Sequence, residues 1–271
     1  MKKTIALMLC LLLALTALVA CGGAQDKAAA GDDSLKKITD AGKLVLGLDD
    51  AYPPYGYKDE DGVIKGFDID LAKEVCSRMG VELVTQPINW DTKVVELNNG
   101  NIDCIWSGFT ITEELKKQVN FTDPYVNNRQ IIVVAAGSDI KSKADLSGKL
   151  VGVQAGSSAI EAIDAEADVK ATFKELIEIK DNVTALIELK NGTVEAVVLD
   201  EAVGMSYVND GTGTYRVLDE DFGGEQYGVG FRLADNALRD KVNETLAAMR
   251  KDGTIEKIAK DWPDVTGAIL K

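Results

Sequence analysis

The chain has 271 residues, of which 44 are acidic and 30 basic, for a formal net charge of −14 at neutral pH. That acidity repels a phosphate backbone and argues against a nucleic-acid partner. Histidine is absent, which excludes a Ser-His-Asp or Cys-His catalytic arrangement and any imidazole metal ligand. With 46% hydrophobic and 27% charged residues, the composition suits one large or two medium globular domains.

The first twenty residues differ from the rest. Lys2 and Lys3 precede an uncharged, apolar run from Ile5 to Ala20, shorter than the roughly twenty residues a membrane-spanning helix needs, so residues 1–20 read as a signal peptide. The run closes on Leu18-Val19-Ala20-Cys21-Gly22, which resembles the lipobox of bacterial lipoproteins. That resemblance implies cleavage before Cys21, acylation of Cys21 (palmitate among its chains) and retention at the extracytoplasmic face of the cell membrane. Residues 21–34, rich in Ala, Gly and Asp, read as the lipidated N-terminus and a flexible tether.

From residue 43 onward, short β-branched runs alternate with helical patterns. Lys43–Leu48 reads as a strand, and the turn-rich Asp49–Gly66 follows. Asp68 reads as the cap of a helix that runs to Met79 and stops at Gly80. Within it Ile69, Ala72, Cys76 and Met79 recur at helical spacing and predict a core face. Val81–Gln86 reads as a strand, Asp91–Asn98 as a helix and Ile102–Trp106 as a strand. A second copy of this alternation has strands at Lys149–Val153, Thr172–Glu175 and Ala196–Leu199, with helices at Ser157–Glu166 and Asn182–Lys190. Between the copies, Arg129–Ala136 is an apolar strand able to cross from one lobe to the other, and Tyr227–Leu233 is a matching return strand. Helices Asp235–Lys251 and Thr254–Asp261 close the chain. Such alternation predicts α/β lobes with mostly parallel sheets and a ligand cleft at the carboxyl ends of the strands. Cys76 and Cys104 lack CxxC spacing; they read either as one disulfide or as two buried thiols.

Gly66-Phe67-Asp68-Ile69-Asp70-Leu71-Ala72 resembles the signature of the bacterial extracellular solute-binding proteins, family 3, which serve polar amino-acid ABC importers. Gly47–Tyr55, Ile102–Thr112, Phe121–Tyr125, Val151–Ser158 and Tyr227–Phe231 continue the resemblance in family order. It implies a type II periplasmic-binding-protein-like fold, with residues 35–132 and 229–271 as lobe 1 and residues 133–228 as lobe 2. It also implies a monomer without cofactor or metal that passes its solute to a separate permease and ATPase. By the same resemblance Tyr52 stacks on the ligand, Asp49 meets a basic side chain, and Trp90 lines the side-chain pocket. Ser107, Gly108 and Thr110 hold the ligand backbone, Ser157 and Ser158 take its carboxylate at a helix start, and Asp200 pairs with its ammonium.

One position departs from the family. Where the pattern has Thr, two residues and then a carboxylate-clamping arginine, this chain has Thr112-Glu113-Glu114-Leu115. Leu115 cannot clamp a carboxylate, and Lys116 points elsewhere on a helical turn. Arg129 is either a substitute reaching into the cleft or a hinge salt bridge. Carboxylate recognition otherwise rests on Thr110 and the Ser157–Ser158 helix start, or the solute is an amine or small peptide without a free α-carboxylate. Two rival readings use the same fold: a dehydratase acting on cyclohexadienyl acids, and a lipoprotein that presents its ligand to a sensor.

Overall fold

The computed structural model describes residues 31–270; the signal peptide, Cys21 and the tether as far as residue 30 lie outside the described residues. Helix α1 (Ser34–Ala41) begins where the sequence reading ends its tether. Ser34 Oγ accepts from the Leu238 amide at 3.1 Å and Asp32 accepts from the Ala237 amide, so residues 32–34 are fastened to the folded body.

Strand β1 (Lys43–Leu48) buries Leu44, Leu46 and Leu48 completely. It lies between two parallel neighbours, which explains its near-continuous apolar character. After it, β2 (Ala51–Tyr52), β3 (Gly56–Lys58) and β4 (Ile64–Lys65) form a small antiparallel sheet. Helix α2 (Phe67–Met79) follows at Gly66, whose φ is +146°. A Cβ at Gly66 would stand 2.0 Å from the Tyr55 carbonyl oxygen, so only glycine fits. The lobe continues through β5 (Glu82–Pro87), a 3₁₀ turn at Trp90–Thr92, α3 (Lys93–Asn98), β6 (Cys104–Ile105) and β7 (Val119–Phe121).

Asp68 does not cap α2. It is fully buried, and its carboxylate accepts from the Gly108 amide at 2.7 Å and the Tyr125 hydroxyl at 2.8 Å. It therefore ties α2 both to the loop after β6 and to the chain's exit from the first lobe. Burial pushes its carboxyl up to about 7. Cys76 and Cys104 are buried free thiols rather than a disulfide.

Strand β8 (Val126–Ala135) carries the chain into a second sheet with β9 (Leu150–Gln154), β10 (Glu175–Ile179), β11 (Ala196–Asp200) and β12 (Tyr215–Tyr227). Around it pack α4 (Ser158–Ala165), α5 (Ala167–Lys170), α6 (Asn182–Asn191) and α7 (Glu201–Val208). β13 (Gly230–Arg232) then returns to the first sheet between β6 and β7, and α8 (Asn236–Lys251), α9 (Thr254–Ala259) and α10 (Pro263–Thr266) complete the chain. The sheet orders are β5-β1-β6-β13-β7 and β10-β9-β11-β8-β12, each mixing parallel and antiparallel pairs. Among the described residues no helix is long and apolar enough to cross a membrane.

Three sequence expectations differ. Thr172–Lys174 is a turn, and the strand is the alternating Glu175-Leu176-Ile177-Glu178-Ile179 that follows. The crossing strand starts at Val126, ahead of both Arg129 and the lobe boundary after residue 132, because its pairing begins at Val126 opposite Tyr227. Its partner β12 goes unread because Asp219–Gly224 is acidic and glycine-rich, and two register shifts interrupt its ladder there. Tyr227 ends that strand; the return strand is the shorter β13.

Replacing Asp68 with Ala would strand a buried amide and a buried hydroxyl. Urea denaturation of Asp68→Ala should show a loss of about 2–5 kcal/mol, with Asp68→Asn losing less because it keeps an acceptor. An unchanged midpoint for Asp68→Ala would contradict this role.

Candidate functional site

The register of β8 assembles the floor of the cleft. Gln130 lies opposite Asp200 on β11, and Asn128 lies opposite Glu225 on β12. Asn128 and Gln130 are two residues apart and share a face. Their amides reach both carboxylates: Asn128 Nδ2 lies 2.5 Å from Asp200 Oδ1 and 2.7 Å from Glu225 Oε1, and Gln130 Nε2 lies at 3.0 and 2.7 Å. Tyr227 Oη donates to Asp200 Oδ1 at 2.6 Å and stands 3.0 Å from Tyr52 Oη. Asp200 immediately precedes α7, yet its side chain makes no cap bond to that helix. Glu225 also accepts from Thr110 Oγ1 at 2.9 Å and Ser158 Oγ at 3.1 Å. Burial, then the charge of Asp200, pushes the Glu225 carboxyl well above the ordinary glutamate range.

The first lobe supplies an aromatic wall. Tyr52 stacks on Tyr55 with centroids 5.6 Å apart, and Trp90 meets Phe109 edge to face at 5.7 Å. Gly108 has φ +55°, and a Cβ there would come within 2.4 Å of the Tyr52 ring; glycine lets the backbone pass directly beneath that ring. The second lobe presents Ser157 and Ser158 at the start of α4, with Ser158 Oγ 3.1 Å from Thr110 Oγ1 across the cleft.

Between these walls lies a small cavity of about 60 Å³. Of the residues expected from sequence, Tyr52, Trp90, Gly108, Thr110, Ser157, Ser158 and Asp200 line it. Two stand behind the wall. Asp49 accepts from Gln154 Nε2 of the second lobe at 2.5 Å and from the Ala51 amide at 2.9 Å. Ser107 is buried, its hydroxyl 3.5 Å from the Asp49 carbonyl. Leu115 does line the cavity, as an apolar surface. Lys116 pairs with Glu113 at 2.6 Å in solvent. Arg129 lies outside the cavity, paired with Glu201 and with Asp221 at 3.0 Å, so it is a salt bridge on the second lobe and no substitute for an arginine at 115.

Four residues escape the sequence reading. Gln154 bridges the lobes, Glu225 joins Asp200 on the floor, and Asn128 and Gln130 bind both acids. Glu225 has a recoverable signal: it precedes Tyr227 by two residues, which on any strand puts both on one face. Lys93 is a fifth, lining the cavity with its ammonium 2.7 Å from the Gly156 carbonyl. Among the described residues no cluster of three or more Cys, Asp or Glu is placed to hold a metal ion.

A family model for bacterial extracellular solute-binding proteins, family 3, matches residues 44–265. The chain belongs to that family. It is 30% identical over 259 residues to the L-cystine-binding protein TcyJ of Escherichia coli strain K12, covering 94% of this chain and 96% of that one. It is 33% identical over 267 residues to the arginine-binding extracellular protein ArtP of Bacillus subtilis strain 168, covering 97% and 98%. A substrate-binding protein of an ABC uptake transporter from Streptococcus pneumoniae, solved with bound histidine, superposes with a TM-score of 0.82 at 33% identity, covering 86% of this chain and 96% of that one. The two-sheet architecture of this solute-binding protein is accordingly the type II periplasmic-binding-protein fold.

The raised Glu225 carboxyl has a stability consequence. An unfolded glutamate titrates near 4.5 and the folded one near 7. Between those values the folded state holds a proton that the unfolded state has released, so stability falls as pH rises through that window. Denaturation of Glu225→Gln at pH 5 and pH 8 should show a smaller loss across the window than the parent protein; an equal loss would contradict the burial of this charge.

Proposed function

We propose that this chain is the substrate-binding lipoprotein of an ABC importer, anchored through Cys21 at the outer face of the cell membrane. It captures an amino acid between its lobes and delivers it to a transmembrane permease driven by an ATPase. The carrying observation is the polarity of the cavity. Asp200 lines it, held with Glu225 by the amides of Asn128 and Gln130, and the start of α4 lines it as well through Ser157 and Ser158, with Ser158 Oγ reaching Glu225. A carboxylate and a helix N-terminus lining one cavity are the complement of a zwitterion, because the helix's uncapped amides and dipole favour an anion there. The cystine-, arginine- and histidine-binding names of the relatives support the same class.

Tyr52, Trp90 and Phe109 supply an apolar, aromatic surface for the ligand's side chain. Glu161 adds a further acid to the cavity wall, and Asp49 stands directly behind it, so a polar or cationic side chain is favoured over an acidic one. The two chain crossings allow a hinge: ligand contacts to both lobes offset the cost of ordering the closed form. No chemical step is assigned to the site.

Calorimetric titration of a soluble form beginning at Gly22 with the twenty amino acids and cystine tests this. One amino acid should bind with micromolar or tighter affinity. Silence from all of them, or turnover of prephenate or arogenate, would overturn the reading. For the anchor, Cys21→Ser should release the protein from the membrane fraction and abolish incorporation of labelled palmitate; continued acylation would contradict it.

A further inference from the structure

We infer that Lys93, together with the start of α4, forms the anion subsite of this cleft and holds the ligand's α-carboxylate in place of a cation at position 115. The inference rests on the amino-acid-binding reading above and names the residue that completes it.

Lys93 sits on the first turn of α3, 7% exposed, and lines the cavity. Its ammonium donates to the Gly156 carbonyl at 2.7 Å and the Trp90 carbonyl at 3.1 Å, and lies 5.0 Å from the centre of the Trp90 ring. Those bonds use two of its three N–H groups. Among the described residues it makes no ion pair; Asp91 and Glu161 act on it only at longer range. A buried ammonium without a counter-ion is costly, and burial accordingly pushes Lys93 down to about 8.

Its location sharpens the point. Gly156 is the residue before Ser157, the N-cap of α4. A helix N-terminus carries partial positive charge and disfavours a neighbouring cation unless an anion lies between them. Ser157, moreover, does not behave as a cap. Its hydroxyl makes no bond to its own helix and is buried without any partner. One uncompensated ammonium, one orphaned hydroxyl and one uncapped helix start therefore meet at the Gly156–Ser157 edge of the cavity, which Asp200 also lines. The other hydroxyls do not share this state, since Thr110 and Ser158 are both engaged with Glu225. A carboxylate placed there accepts from Lys93, Ser157 and the first amides of α4 at once, while its ammonium neighbour faces the acids.

The test compares arginine, histidine and cystine with agmatine, histamine and cystamine, which lack the carboxylate, on the full chain in detergent. In the parent protein the bound amino acid should exceed its amine by at least ~30-fold. Removing a charge-assisted pair costs roughly ten- to a hundredfold, so Lys93→Gln should bring that ratio to within about threefold. Ser157→Ala, which removes no bond of the folded protein, should lower it by several-fold. An unchanged ratio in folded Lys93→Gln overturns the inference, and if that variant does not fold, an unchanged ratio in Ser157→Ala does so. Failure of the parent protein to bind any of the twenty amino acids or cystine, by contrast, counts against the amino-acid reading itself.

Discussion

The antiparallel pairing of β8 with β11 and β12 is the constraint on which the site depends. A one-residue slip in a strand turns every side chain to the opposite face. In the observed register, Asn128 and Gln130 share a face and meet Glu225 and Asp200. Slipped by one, the same strand would present Asn127 and Arg129 there instead. The apolar run Ile131–Val134 protects the register by packing into the core of the second lobe. Burial of ordinary hydrophobic residues thus fixes the positions of two carboxylates that would otherwise repel each other, and the amides of Asn128 and Gln130 stabilise them there.

The same ribbon couples the site to the hinge. Tyr227 ends β12, bonds Asp200 and lies beside Tyr52 of the first lobe. Asp68 then connects Tyr125, at the entrance to β8, with the Gly108 amide under the Tyr52 ring. Side chains on both chain crossings therefore touch groups that line the cavity. A ligand that draws Tyr52 and Asp200 together acts directly on the segments that bend. Gln154–Asp49 and Lys93–Gly156 complete the lobe-to-lobe contacts without a ligand.

Much of this is legible in the sequence, for identifiable reasons. Helices such as α2 and α8 carry a 3.6-residue apolar repeat, and strands such as β9 and β11 are short apolar runs bounded by turn residues, so local pattern suffices. Tyr52, Gly108, Thr110 and Asp200 follow from the resemblance to the family's motifs, and Asp200 also from its place at the end of an apolar strand. What escapes is set by tertiary structure. Asp68 has the chemistry of a helix cap, and only the approach of Gly108 and Tyr125 gives it another role. Glu225 lies just past two register shifts, in a strand whose acidic, glycine-rich approach hides it from local pattern. Lys93 resembles any lysine of a solvated first turn; its significance comes from the second lobe closing over it. Asp49 reads as a ligand contact from the family resemblance, yet its carboxylate is engaged by Gln154, far away in the chain.

The central claim is that the cleft orients a zwitterion, ammonium toward the Asp200–Glu225 pair and carboxylate toward the start of α4. A crystal structure of the protein grown with its tightest-binding amino acid tests it most directly. The account predicts the ligand nitrogen within hydrogen-bonding distance of Asp200, and both carboxylate oxygens among Lys93, Ser157 and the first amides of α4. A ligand bound in the reverse orientation, or with its carboxylate turned to solvent beside Leu115, would contradict it.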